Sequence, residues 1–196
     1  SGFLGSKEQI EIVKKFFKEF KTEETQIIVD PVMGDYGKPY PTYTKEMCDH
    51  MKDLVCYADI LTPNMTEACI LTDTPYEDKK WHLSEIEAMA ARLSENGPSK
   101  IVITGITQGQ YVANFCYEAG KPSSTQNPQI GTSRSGTGDI FTAIIAADAV
   151  NSVPFDHSVK KASNFIKKCI QRSIELDIPL TDGVCFEEVL HTLKYN

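Results

Sequence analysis

Three short β-branched runs, each ending on a polar residue and each followed by a stretch with helical spacing, constrain this chain most. "TQIIVD" ends at Asp30, "DILT" at Thr62 and "KIVIT" at Thr104. Their apolar residues are consecutive rather than alternating, so both faces must be buried, as in the strands of a parallel sheet. Ahead of the first run, Ser6 and Gln9 form an S-x-x-Q capping box, and Ile10, Val13, Phe16, Phe17 and Phe20 then recur at helical spacing. Further helices are expected over about Lys45–Tyr57, through "PNMTEACIL", and behind a box of Ser84 and Glu87, stopped at Asn96-Gly97-Pro98. "GQYVANFCYE" alternates like a strand and is expected to pair with the region near "PQIGT", while "KPSSTQNPQ" reads as a loop. Helices over about Asp139–Val150 and Asp156–Leu176, and a short last one with Phe186, Val189, Leu190 and Leu193, close the chain. The prediction is an α/β fold: an open, mostly parallel sheet flanked by helices on both sides, in a single domain over residues 1–196.

Charge and composition narrow the function. The net charge is −7 and Lys and Arg are scattered, which argues against nucleic acid and membrane surfaces as partners. A phosphate-bearing substrate would therefore need a metal ion to offset the charge. No apolar run is long enough to cross a bilayer, and no signal segment opens the chain. The six cysteines form no C-x-x-C pair, and none stands at zinc-ligand spacing with a histidine. They read as reduced packing thiols of a cytoplasmic protein. His50, His82, His157 and His191 lack partner spacing and read as surface or structural residues.

In open α/β sheets, ligands bind beyond the carboxyl ends of the strands. Asp30, Thr62 and Thr104 end strands there, and "SGTGD" (Ser135–Asp139) enters a helix. Helix N-termini offer unpaired amides and partial positive charge, and glycines let a phosphate come close. Asp139 is either a helix cap or a base that orients an alcohol and takes its proton during phosphoryl transfer. In "DPVMGDYG", Asp30 and Asp35 can serve a hard cation such as Mg²⁺, or simply shape a turn. In "TPNMTEA", Asn64 can bond phosphate or ribose oxygens. Glu67 can hold a metal-bound water or favour the helix dipole. There is no P-loop, and Gly136-x-Gly138 lacks the third glycine of the dinucleotide fingerprint.

"DPVMGD", "TPNMTEA" and "GTGD", in this order and spacing over essentially the whole chain, resemble the ribokinase-like small-molecule kinases. Among these the chain looks most like pyridoxal/pyridoxamine kinase. The resemblance implies ATP-dependent phosphorylation of the hydroxymethyl group of a vitamin B6 vitamer. It implies Asp139 as base, with Gly136, Thr137 and Gly138 as the anion hole. It also implies Asp30, Asp35, Thr62 and Glu67 around Mg²⁺ and a monovalent cation, potassium. Asp35, Asn64, Thr104 and Gly105 would lie near ATP, Phe3 and Ser135 at the pyridine ring, and the family implies a homodimer. Hydroxymethylpyrimidine (phosphate) kinase of thiamine synthesis is the related alternative. That branch typically carries Cys where Asp139 stands and lacks the Gly34-Asp35 pair. A non-catalytic nucleotide-binding fragment is the third reading. Family members carry strand–helix units before the "GFLGS" segment that are absent here, so an exposed apolar sheet edge, with poor solubility or an unusual oligomer, is expected.

Overall fold

In the computed structural model, which describes residues 1–193, short parallel strands and longer antiparallel ones form one sheet. Strand β1 is Ile28–Val29, β4 Ile60–Leu61 and β5 Lys100–Gln108; β1 pairs with β4 and β4 with β5, both in parallel. Strands β6 (Tyr111–Glu118) and β7 (Lys121–Pro128) extend the sheet antiparallel, in the order β1-β4-β5-β6-β7. A small hairpin of β2 (Gly34–Asp35) and β3 (Lys38–Pro39) stands apart.

Successive strand residues point to opposite faces. Val29, Leu61, Ile101, Ile103 and Phe115 face a core shared with α1 (Lys7–Phe20), α2 (Lys45–Val55), α3 (Met65–Leu71) and α4 (Leu83–Ser94). Ile60, Val102 and Cys116 face a second core with α5 (Thr137–Val150) and α6 (Phe155–Glu175). Helices therefore cover both faces, as the consecutive apolar runs require.

Several local expectations are corrected. "KPSSTQNPQ" is not a loop: its residues 121–128 are β7, which pairs with β6 over Tyr111–Pro128 to Glu118–Lys121. Strand β6 does meet the start of "PQIGT", Tyr111 opposite Pro128 with the Gln129 amide donating to the Gln110 carbonyl at 2.8 Å, but the pairing runs back from there through residues 121–127. The connecting residues Ala119 and Gly120 both have positive φ, 48° and 79°, the geometry of a tight hairpin turn. The strand was illegible because it lies at the sheet edge and is mostly exposed. Helix α4 begins at Leu83, one residue before the expected box; the Glu85 carboxylate accepts the His82 amide at 2.8 Å. At α1, Ser6 Oγ accepts the Gln9 amide as expected, but Gln9 Oε1 accepts from Gly5 rather than Ser6. The last segment is a pair of 3₁₀ turns, Leu180–Asp182 and Glu187–Thr192, not an α-helix.

At the β1 edge, Ser1 donates to the Ile28 carbonyl and accepts the Asp30 amide, each at 2.8 Å. Helix α1 exposes Ile12, Phe16 and Phe20. No helix among the described residues is long and apolar enough to cross a membrane.

Candidate functional site

Strands β1, β4 and the start of β5 run parallel, so Asp30, Thr62 and Thr104 arrive on one side; Thr104 does not end its strand as expected, because β5 continues to Gln108 as the partner of β6. Thr62 Oγ1 donates to Asp30 Oδ1 at 3.3 Å and lies 2.9 Å from Thr142 Oγ1. Thr104 donates its amide to the Pro63 carbonyl at 2.8 Å and forms a parallel bridge with Asn64. The amino end of α5 closes the group: a methyl on Gly138 would stand 3.7 Å from Asp30 Oδ2. Sequence reading missed Thr142, yet it follows Asp139 by three residues and so shares its helix face.

Helix α5 starts earlier than expected. Gly136 is its N-cap, at φ 85° and ψ −6°, a left-handed conformation that glycine adopts without penalty. The first hydrogen-bonded amide of the helix is that of Ile140, to Gly136. The preceding amides, 137–139, point out of the helix end with the positive end of its dipole. Asp139 is thus not the cap. Its side chain is exposed and accepts no hydrogen bond from another described residue. A methyl on Gly2 would stand 3.9 Å from its Oδ1, which sets the chain's first residues beside it. Phe3, 54% exposed, meets Tyr43 edge-on at 6.1 Å. Ser135 is exposed on the approach to Gly136.

The acidic residues differ in environment. Burial pushes the Asp30 carboxyl up to about 6, and the nearby Asp139 adds to the rise while Thr62 opposes it. Glu67 is almost wholly buried and is pushed up to about 8, first by burial. Its two oxygens accept backbone amides, Oε1 from Met33 at 3.1 Å and Oε2 from Asn64 at 2.7 Å. Asn64 completes a capping box by accepting the Glu67 amide at 2.9 Å, and its side-chain amide donates to the Gly34 carbonyl at 2.8 Å. Asp35 Oδ1 accepts the Tyr36 amide at 2.8 Å in the β2–β3 turn. Tyr40 feels the same acidic group: burial raises its phenol, and Asp35, Glu67 and Asp30 raise it further. Gly105, at φ 68°, gives its amide to Asn114 Oδ1 at 3.1 Å. Asn114 in turn donates to Ser163 on α6 at 2.8 Å, tying the β5 bulge to the opposite helix layer.

Among the described residues no three His, Cys, Asp or Glu converge closely enough to hold a metal by themselves. The donor set at the strand ends is all oxygen, which suits a hard cation that keeps waters and shares its coordination with phosphate.

The comparisons agree with this architecture. The hydroxymethylpyrimidine/phosphomethylpyrimidine kinase of Haemophilus influenzae is 28% identical over 183 residues, covering 89% of this chain and 65% of that protein. The pyridoxal kinase of Arabidopsis thaliana is 28% identical over 187 residues, covering 89% and 58%. The chain thus spans less than two thirds of the length of these relatives. A Bacteroides thetaiotaomicron protein, solved under the provisional name phosphomethylpyrimidine kinase, superposes with TM-score 0.95 at 30% identity, over 100% of this chain and 68% of that one. A second crystal form of that protein was obtained with pyridoxal. The family model described as phosphomethylpyrimidine kinase matches residues 1–180, and on that match the chain belongs to this family.

Proposed function

We propose that the chain carries the phosphoryl-transfer site of a small-molecule kinase that moves the γ-phosphoryl group of ATP to the hydroxymethyl group of a B6 vitamer. The observation that carries this reading is Asp139: an exposed carboxylate, free of hydrogen bonds from other described residues, at the mouth of open helix amides and beside buried Asp30. A carboxylate so placed can orient an alcohol and accept its proton as the oxygen attacks the γ-phosphorus. The bond to the β,γ-bridging oxygen breaks, ADP leaves with that electron pair, and the proton stays on Asp139 until solvent takes it. The Gly136, Thr137 and Gly138 segment receives the transferring group by its backbone.

Asp30, Asp35, Thr62 and Glu67 are the residues that would serve Mg²⁺ and potassium. Of these, Glu67 acts by shaping the two loops, since its oxygens already hold their amides. Bound Mg²⁺ offsets the phosphate charge. Asp35, Asn64, Thr104 and Gly105 would border ATP, and Phe3 and Ser135 the pyridine ring. A cytoplasmic homodimer working on a small molecule, in one ribokinase-like domain, completes the reading.

A pyrimidine kinase is the second reading, favoured by the description of the matched family and by the Haemophilus relative. Steady-state phosphorylation of pyridoxal, pyridoxamine, pyridoxine and hydroxymethylpyrimidine separates the two. A higher kcat/KM for the pyrimidine would replace the first reading by the second.

A further inference from the structure

Arg134 lies two residues before Gly136 and is 8% exposed. Its Nη1 donates to main-chain carbonyls of the segment after α6: Ile178 at 2.8 Å, Pro179 at 3.2 Å and Gly183 at 3.4 Å. No carboxylate of the described residues pairs with it. A buried cation normally has a counter-ion, because its desolvation is costly. Here only carbonyl dipoles answer the charge. The main chain of the same residue works in the other direction: its carbonyl accepts Thr137 Oγ1, at the first turn of α5, at 3.1 Å.

The far anchor is equally constrained. Gly183 has φ 83° and ψ −159°, a region essentially restricted to glycine. A methyl there would stand 3.4 Å from the Ser135 carbonyl oxygen. The segment 178–183 therefore lies against Arg134 and Ser135, which lead into the glycine loop, and Arg134 joins the two. An apolar side chain could fill the same space. What it could not do is hold several carbonyls at once or bring positive charge to the segment that enters the glycine loop.

We propose that Arg134 is a positioning residue for the anion loop. By clamping Ile178–Gly183 it fixes the amides of Thr137, Gly138 and Asp139 toward an incoming phosphate, and its charge favours that anion. The inference rests on the phosphate-site reading of this loop given above.

The test uses the full chain, inorganic tripolyphosphate as probe, and isotope-labelled amide shifts with calorimetry as readouts. Arg134→Met weakens tripolyphosphate binding about tenfold or more, the scale of a lost charged hydrogen-bond set, and Arg134→Lys recovers part of it. Amide shifts of Gly136 and Gly138 report the loop, while Asp148, at the far end of α5, reports the fold and stays unchanged. Gly183→Ala leaves the guanidinium in place but strains its anchor, and it weakens binding in the same direction. A purely structural arginine would lower thermal stability without altering the affinity of the folded molecules. Equal affinity in wild type and a folded Arg134→Met overturns the proposal. So does a wild-type chain whose Gly136 and Gly138 amides ignore the probe. If Arg134→Met does not fold, unchanged affinity in Gly183→Ala overturns it. Arg134-dependent binding without phosphorylation of any alcohol would instead remove the kinase reading and leave this one standing.

Discussion

The Glu67 carboxylate accepts the Met33 amide at 3.1 Å, so a residue of α3 holds the loop that follows β1. Its other oxygen holds the Asn64 amide. One buried side chain thus sets the spacing of "DPVMGD" and "TPNMTEA", the two loops that border the candidate site. Glu67→Ala strands two backbone donors, and a loss of roughly 2–5 kcal/mol is expected from unsatisfied buried groups. Urea unfolding measures it; a loss within the error of the wild-type value would show that water replaces the carboxylate freely.

Stability should fall as pH rises toward neutrality. Burial raises Glu67 to about 8 from 4.5 and Asp30 to about 6 from 3.8. An acid whose pKa is higher in the folded state holds its proton longer there, so the native state binds more protons across the interval. The stabilisation is complete below the unfolded values and is lost as pH rises through about 6 for Asp30 and about 8 for Glu67. The thermal midpoint in Mg²⁺-free buffer is therefore expected to drop across this window, with Glu67→Gln flattening its upper part. A midpoint that rises from pH 6 to 8 contradicts this.

Gly136→Ala isolates backbone conformation from packing. The nearest atom to an added methyl is Val184 Cγ1 at 3.9 Å, so there is room, but φ 85° is unfavourable for alanine. The expected cost is about 1–2 kcal/mol of stability, with a larger proportional loss of phosphate affinity because the open amides turn away. Thermal unfolding and tripolyphosphate titration of the same samples give both numbers.

Asp139→Asn keeps the size of the side chain and removes its basicity. Turnover should fall by roughly two to four orders of magnitude, the usual scale for a general base, while ATP affinity is retained. Unaltered turnover, measured at saturating substrate, would leave Asp139 as a helix-end charge only.

The sequence was legible where burial on both faces wrote consecutive apolar residues, as in "KIVIT", and where Asp30 and Thr62 follow short strands; Thr104 proved to lie within β5, which runs on to Gln108. It was illegible at β7, whose mostly exposed residues leave no hydrophobic signature. Thr142 and Arg134 were missed for another reason. Each acts through a partner distant in sequence, Thr62 and the Ile178–Gly183 carbonyls, and local pattern says nothing of such pairs. Glu67 was read from its place early in a helix as a metal or dipole residue. Its bond to Met33 became apparent only once β1 and β4 were paired.

The most direct test of the central claim is ATP-dependent phosphorylation by this chain, with Mg²⁺ and K⁺ present, across the B6 vitamers and hydroxymethylpyrimidine. The account predicts phosphate transfer to a B6 vitamer, abolished in Asp139→Asn. Transfer that persists in Asp139→Asn, or a chain that binds ATP tightly and phosphorylates none of these alcohols, would contradict it.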